Sequence, residues 1–589
     1  MKLSGLILTL ALLPPLQLAS SAVKIGDHLA AALQVRGPDE PFVVWVTFAD
    51  KGRNEIRKPV IPSSLVTERS LSRRRNVLPE EQLVDGTDLP IEEGYVNALV
   101  AAGAMIRQRT RWFNAVSAIA SSASIQEIAR LPYVASIELV ARYGKRAPTP
   151  DGTGSGAVPP PPAKTDGVHS LDYGQSINQV QQINVPAVHD LGNHAEGVIV
   201  GVFDNGFRLL THESLVPMHI IATHDFVDHK TSVVPSNPST DFGSHGIETL
   251  STIGGYKAGQ LIGPAFGASF ILARTENDSS ETPVEEDNWL AAIEWADSLG
   301  VQVTSTSLGY LTFDAPYTSW TWEDMNGRTT LISRAAAMAV RKGIVVVNSA
   351  GNEGSNASHN TLGAPADADS VLAIGAVALN GARTSFSSVG PTTSAPPRIK
   401  PDLMALGTSV YVANADDMIG YIPFAQGTSF SCPLAAGVAA LLVKAYPHAT
   451  PVQIATAMKS TASNALAPNN LVGWGIINAK AALDRLASTD TNSFPTVPVT
   501  YLLEQNYPNP FNPGTTIEYR VPTAGHVRLA VYDVLGREVA LLQNDVLPAG
   551  LYVSAFNGAG FASGVYIYRL QEETAGQTSV ETRTMTLLK

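Results

Sequence analysis

One cysteine, Cys432, stands in 589 residues, so no intrachain disulfide can form. Charge is also scarce: Asp, Glu, Lys and Arg make up 16% of the chain against 44% hydrophobic residues. A chain this apolar can bury several cores, which excludes a wholly disordered protein. Basic residues are the scarcer sign, 40 against 52 acidic, for a net charge of −12. That argues against nucleic acid as a partner, because phosphate binding wants a basic surface. The deficit is uneven. Residues 23–150 carry 17 basic and 14 acidic side chains (+3), and residues 151–589 carry 22 and 38 (−16). A mildly basic N-terminal segment can dock on an acidic remainder. Beyond the N-terminus there is no uninterrupted run of ~18 apolar residues, so a soluble mature protein is expected.

What is present divides the chain. At about 100–200 residues per domain, the length allows about three to five domains. Residues 1–22 read as a secretory signal peptide: Lys2 is a short basic start, Leu3 to Leu18 is apolar, and Ser20 and Ala22 are small. Pro14 and Pro15 interrupt the run and argue against a membrane anchor. An exported chain without disulfides suits a bacterial source. Residues 23–142 read as a compact α+β module. Phe42 to Phe48 is a strand, and Ser124 with Glu127 forms a capping box. Pro132 ends that helix, and Val134 to Val140 alternates with Ala135, Ile137 and Leu139 on one face. Residues 143–167 are a Pro/Gly-rich linker, exposed enough to be cut.

Residues 168–487 alternate strands with helices. Val198 to Phe203, Val301 to Ser307 and Ile344 to Val347 read as buried strands, and Asp287 to Leu299 and Thr330 to Lys342 as helices. The alternation predicts an α/β fold, a parallel sheet covered on both faces. A second linker, 488–500, leads to residues 501–589. There Ile517, Tyr519 and Val521, and again Val527, Leu529 and Val531, alternate between Gly and Pro punctuation, as in a small β-sandwich.

Three contexts carry chemistry. Asp204 ends a buried strand, where ligand crevices of open α/β sheets lie. His245 stands between glycines in GSHG, and Ser429 stands in a glycine-led turn entering an apolar helix. Singly, each has an ordinary structural reading: a turn aspartate, a core histidine, a helix cap. Together they are the set a weak hydroxyl nucleophile needs. An imidazole takes the proton, and a carboxylate holds the imidazole and stabilises its charge. Asn352, just past a strand, supplies an amide donor for an oxyanion, and the helix start at Ser429 adds backbone N–H groups.

At these residues the chain resembles the subtilisin-like serine proteases over about 168–487. The motifs are the Asp204 strand, SHG at His245, SLG at Ser307 to Gly309, AGNEG at Asn352, and GTS with Pro433. SFSSVGP (Ser385 to Pro391) and IKPDLMALG (Ile399 to Gly407) also match. The resemblance implies a subtilisin-like parallel sheet flanked by helices. It also implies Asp204, His245 and Ser429 as triad, Asn352 as oxyanion donor, and an acyl-enzyme route to peptide hydrolysis. Ser307, Leu308 and Gly309, with Ser349, Ala350 and Gly351, are then expected to line the cleft and pair with an extended substrate backbone. No cofactor is called for. Structural calcium is common in the family, but no contiguous loop assigns a site.

The sequence departs from the family in places. HGIETLS stands where HGTHVAG is usual, so Ile247 and Glu248 replace Thr and His. Glu248 either perturbs the imidazole as a buried charge or, as the plainer expectation, stands in solvent. Leu406 replaces a usual proline, and Cys432 reads as a small buried helix residue.

By position and topology, residues 23–142 resemble a subtilisin-type propeptide, which implies an intramolecular inhibitor and folding chaperone. The tail resembles a type IX secretion sorting domain through QNYPNPFNPGTTIEY, VYDVLGREVALL and SGVYIYRL. That implies a bacterial outer-membrane secretion machinery as partner of residues 501–589 and a secreted or cell-surface location. The leading reading is a secreted serine endopeptidase made as a zymogen, acting on protein or peptide substrates. The alternatives are a catalytically inactive surface binding protein, which normally shows a lost triad or oxyanion residue, and an acyl transferase using the same intermediate. An α/β-hydrolase esterase does not fit the triad order.

Overall fold

The computed structural model describes residues 24–490 apart from 36, 38–39, 57–60, 141, 144–168, 238–241, 316 and 357, and residues 502–588 apart from 504, 507–508, 522–524, 548–549 and 575–576. The expected signal peptide and nearly all of both linkers lie outside the described residues. The described chain forms two compact units, meeting in sequence between Leu486 and Ala487.

At the centre of the first unit is a seven-stranded sheet. Its spatial order is Leu403–Leu406, Leu372–Val377, Val345–Ser349, Val303–Thr306, Ile199–Asp204, Ser269–Arg274 and His219–Asp225. Every neighbouring pair is parallel. Such strands are buried on both faces, and Ile199–Asp204 is buried at all six positions. Ile199 and Phe203 pack with the helices Val284–Leu299 and Leu331–Arg341. Asp204 points to the opposite face, by the two-residue alternation of a strand, where helices His245–Gly254 and Thr428–Ala445 pack. Trp289 seals the first face, its indole N–H donating to Thr306 Oγ1 at 3.2 Å. Helix Thr428–Ala445 is apolar and long enough to cross a membrane by length alone, yet 89% of it is buried inside the protein.

The expected elements are present, with ends displaced by a few residues. Thr330 and Lys342 prove to be the caps of Leu331–Arg341, the Thr330 hydroxyl accepting from Ser333 N–H. Helix Val284–Leu299 starts three residues before Asp287, so its first turn carries Glu285, Glu286 and Asp287 near the positive dipole end. Leu406, in place of proline, pairs with Val377 as a ladder residue.

The N-terminal module is an antiparallel sheet in the order Met105–Thr110, Ala115–Ala120, Phe42–Phe48, Val134–Leu139. Two sequence expectations change here. Helix Ser122–Ala129 is capped by Ser121, which accepts from Ser124 N–H, so Ser124 lies inside the helix. A bulge opposite Thr47 and Phe48 breaks the alternation of the last strand. Val134 and Ile137 therefore face the core and Ala135 faces solvent.

This module sits on helix Val284–Leu299. Arg73 and Arg74 both pair with the buried Asp297. The wholly buried Arg74 also meets Asp88 at 2.8 Å, which Lys342 reaches at 3.1 Å. Gln108 Nε2 donates to Asn288 Oδ1 and to the Phe226 carbonyl, each at 2.8 Å. Glu294 accepts from the N–H groups of Arg111 (3.0 Å) and Trp112 (3.2 Å). The basic-on-acidic docking expected from charge is thus a few buried pairs rather than a diffuse field.

Both spans read as linkers begin within secondary structure. Tyr143 belongs to a strand, Arg142–Tyr143, antiparallel to Tyr317–Thr318. The Ala-rich helix Ala479–Asp490 runs through residues 488–490.

The second unit has a three-stranded sheet (Leu502–Leu503, Gly514–Val521, Gly550–Asn557) and a four-stranded one (Glu538–Leu547, Gly525–Tyr532, Gly564–Thr574, Gln577–Leu587), all pairs antiparallel. Ile517, Tyr519 and Val521 from one sheet share a core with Val527, Leu529 and Val531 from the other. Two residues of QNYPNPF, Asn506 and Phe511, have structural roles. Asn506 is buried and bonds Tyr568 Oη and Thr515 Oγ1, and Phe511 enters the core.

Arg74→Met leaves Asp88 and Asp297 buried with fewer donors. Denaturant unfolding of the purified full-length protein should show a loss of about 3–5 kcal/mol, the usual cost of breaking a buried pair from one side.

Candidate active site

Asp204 is fully buried, and its carboxylate is satisfied from three directions. Oδ1 lies 2.7 Å from His245 Nδ1 and accepts from Asn205 N–H at 2.9 Å. Oδ2 accepts from Thr249 Oγ1 at 2.8 Å. With Nδ1 carrying the proton toward Asp204, the His245 Nε2 lone pair is left free. Thr249 stands four residues after His245, one turn along helix His245–Gly254, so one helix supplies both partners. Gly246 makes the approach possible. A Cβ there would stand 2.1 Å from the Gly206 carbonyl oxygen.

Asn205 and Asp278 hold the loop before His245. Asn205 Oδ1 accepts from Gly246 N–H at 3.0 Å, and its Nδ2 donates to Asp278 Oδ1 at 2.7 Å. Asp278 Oδ2 accepts from the N–H groups of Phe242 (2.7 Å) and Gly243 (3.1 Å). The sequence reading missed Asn205, Thr249 and Asp278. Only Asn205, directly after Asp204, carried a signal there.

Ser429 is the second residue of helix Thr428–Ala445, entered through Gly427 at φ 144°. Its Oγ donates to the Ser307 carbonyl at 3.2 Å, and Ser307 Oγ donates to the Ser429 carbonyl at 2.7 Å. Pro433 explains the second bond. Lacking an N–H, it leaves the carbonyl four residues earlier, that of Ser429, without its helical donor. The His245 ring stands 6.0 Å between centroids from Phe430, the next residue after Ser429.

Asn352 Oδ1 accepts from Thr428 N–H at 2.9 Å and from Thr428 Oγ1 at 3.0 Å. Its Nδ2 is left as a donor. The Cβ that Gly427 lacks would lie 3.7 Å from both Asn352 Nδ2 and Ser429 Cβ, so the amide stands beside the hydroxyl's helix turn.

Burial works against the imidazolium, but Asp204's charge and hydrogen bond outweigh it. With smaller help from Glu248 and Asp278, they push the His245 pKa up to about 9. Glu248 is half-buried rather than solvated, as the plainer expectation had it. Burial raises its own carboxyl pKa, against the pull of His245. Cys432 is buried, its thiol donating to the Thr306 carbonyl at 3.3 Å. Burial pushes that thiol up to about 12, which leaves no thiolate at neutral pH.

Ser307, Leu308 and Gly309 line a cleft of about 580 Å³ together with Asn205 and His245. Ser349 ends the neighbouring strand Val345–Ser349, and Ala350 and Gly351 follow it. Ala350 N–H is spent on the Ile374 carbonyl at 2.9 Å, and Ser349 Oγ donates to the Leu308 carbonyl at 3.4 Å. Glu276 and Glu281 also line the cleft, and with the buried Glu285 they bring carboxyl oxygens within 4.8 Å of one another, a group that could hold a metal ion. Burial, then like charge, pushes Glu281 up to about 7 and Glu285 up to about 9.

Residues 195–475 match the subtilase family, residues 43–152 the Peptidase S8 propeptide domain of Bacteroidota, and residues 505–581 the secretion system C-terminal sorting domain. Subtilisin NAT of Bacillus subtilis subsp. natto is 32% identical over 314 residues, 53% of this chain and 72% of that protein. Subtilisin DY of Bacillus licheniformis is 32% identical over 301 residues, 51% of this chain and 96% of that protein. Among solved structures, a protease from Pseudoalteromonas arctica PAMC 21717 aligns at 22% identity and a TM-score of 0.42, covering 54% of this chain and 99% of that one. MycP1 with its N-terminal propeptide removed aligns at 25% and 0.41, covering 52% and 96%. Homology at this identity across most of each subtilisin means that the chain belongs to the subtilase family of serine endopeptidases.

Proposed function

We propose that Ser429 is the nucleophile of this endopeptidase, His245 its general base and Asp204 the carboxylate that orients the base. The observation that carries the reading is the 2.7 Å contact of His245 Nδ1 with a buried, fully satisfied Asp204 carboxylate, on the same face of the sheet as Ser429's helix. In the first step Ser429 Oγ leaves the Ser307 carbonyl, gives its proton to His245 Nε2 and bonds to the scissile carbonyl carbon. Asn352 Nδ2 and the N–H groups at the helix start donate to the oxyanion. The imidazolium then protonates the leaving amine, and water, deprotonated by the same nitrogen, releases the acyl group. Every group needed belongs to the chain, and no metal enters these steps. The family's structural calcium would be a matter of stability.

The tail match indicates export by type IX secretion to the cell surface or extracellular space, and the propeptide match supports synthesis as a zymogen. We assign the signal peptide to residues 1–22, the inhibitory propeptide to 23–142, the peptidase domain to 168–487 and the sorting domain to 501–589. An inactive surface-binding relative would have lost one of the four groups, and all four are here.

Ser429→Ala should abolish cleavage of a denatured protein substrate while leaving the fold intact by circular dichroism. Full activity in the purified variant would sink the assignment. Asn352→Ala should lower kcat by about 10²–10³-fold, the usual cost of one oxyanion donor, with a far smaller change in KM. Steady-state kinetics within twofold of wild type would place the donor elsewhere.

Because neutral His245 is the base, activity should rise with pH, with a midpoint above the unperturbed value of about 6.5 and toward the 9 of the folded chain. An anion favours imidazolium, so Glu248→Gln should lower that midpoint and extend activity to more acid pH. An unmoved pH–rate profile would show that Glu248 does not act on the imidazole.

A further inference from the structure

Where the N-terminal module meets the peptidase part, a cavity of about 630 Å³ opens between strand Met105–Thr110, helix Val284–Leu299 and the turn after strand His219–Asp225. Its lining is mainly basic. Arg107, Arg109 and Arg111 reach it from the strand and its end, and His229 from the turn. Among the described residues that line it, Glu294 is the one carboxylate, and it is spent on the N–H groups of Arg111 and Trp112. Arg109 is taken by Glu93, at 2.7 and 3.1 Å, and Arg111 by the Glu294 carbonyl at 3.1 Å.

Arg107 is placed differently. It is the bulged residue of an edge strand: Ile106 pairs with Ala118 and Gln108 with Ser117, and Arg107 has no opposite number. A bulge re-aims the side chain it carries. The guanidinium is half-buried, and among the described residues it has no hydrogen bond and no ion pair. Burial lowers its pKa, and the more distant Asp287 and Glu285 only partly offset this. A half-buried cation without a partner is costly, and the planar fork of an arginine matches an oxyanion.

The other walls say what that anion carries. Ile106, Phe226, Ala291 and Trp295 also line the cavity, with the rings of Phe226 and Trp295 edge to face at 5.9 Å between centroids. The volume lies within the range of small-molecule sites, about 300–1,000 Å³, and is many times what a bare inorganic anion fills.

We propose that this seam binds an amphiphilic organic anion, a carboxylate on an apolar body, with the head on Arg107 and the body against Phe226, Ala291 and Trp295. Both parts of the chain build the site, so it is complete only while they are docked. A ligand that binds the docked state alone stabilises that state by mass action. Resting on the zymogen reading above, such a ligand holds the propeptide in place and delays activation.

Binding is read by isothermal titration calorimetry on the full-length Ser429→Ala protein. The probes are octanoate (head and body), inorganic phosphate (head alone) and 1-octanol (body alone). Octanoate should bind more tightly than either, and Arg107→Gln should weaken it by about tenfold or more, the usual worth of a charge-assisted pair. Because Arg107 has no partner to lose, the Arg107→Gln variant should melt no earlier than its parent. His229→Asn is a second variant, suited to the left-handed backbone at φ 53°, and should weaken octanoate by a smaller factor. Phosphate or 1-octanol binding as tightly as octanoate, or octanoate binding unchanged in both variants, would overturn the proposal. In the wild-type full-length protein, octanoate should lengthen the lag before peptidase activity without changing the final rate, and Arg107→Gln should remove that effect. An unchanged lag despite Arg107-dependent binding would overturn the claim that the site needs both parts docked. No peptidase activity with or without octanoate would sink the endopeptidase reading instead, and the calorimetry would still decide the site.

Discussion

A carboxylate with no exposed surface has to be paid for in hydrogen bonds, and around Asp204 that requirement organises the site. The side chain ends a strand buried at every position, so water cannot satisfy it. Its donors must come from the chain: Asn205 N–H, Thr249 Oγ1 and the His245 imidazole. Two of the three lie on one helix, one turn apart, and that helix approaches only because Gly246 has no side chain. The same arrangement that satisfies a buried charge thereby orients an imidazole with a free nitrogen and raises its basicity.

The proposed nucleophile is placed by a second backbone economy. Pro433 leaves the Ser429 carbonyl without a helical donor, Ser307 fills the gap, and Ser429 Oγ returns a bond to Ser307. The end of the sheet's central strand and the helix start are thus locked together. Asn352 is fixed by the same helix start, through Thr428, so the hydroxyl and the amide share one support. The N-terminal module depends on a different kind of burial. Arg73, Arg74 and Lys342 converge on Asp88 and Asp297, where an unpaired member of either sign would be costly.

Much of this was legible in the residues. The Asp204 strand, the glycines around His245 and the GTS turn at Ser429 each required a local backbone shape that the structure adopts. The alternation of Ile517, Tyr519 and Val521 marked a sandwich face because a strand has a period of two residues. Local pattern failed where a neighbour overrode it. The bulge opposite Thr47 and Phe48 turned Ala135 outward, and Ser121, one turn earlier than expected, took the cap.

The sequence by itself determined the elements, their order and which groups are proposed to react, because strand period, glycine and proline act within a few residues of themselves. Only the tertiary structure decided which carboxyls surround His245, that Glu248 is half-buried, and that Glu276, Asp278, Glu281 and Asp314 share one cleft. Those are questions of distance between residues far apart in the chain. Electrostatic energy depends on that distance and on burial, and no local pattern records either.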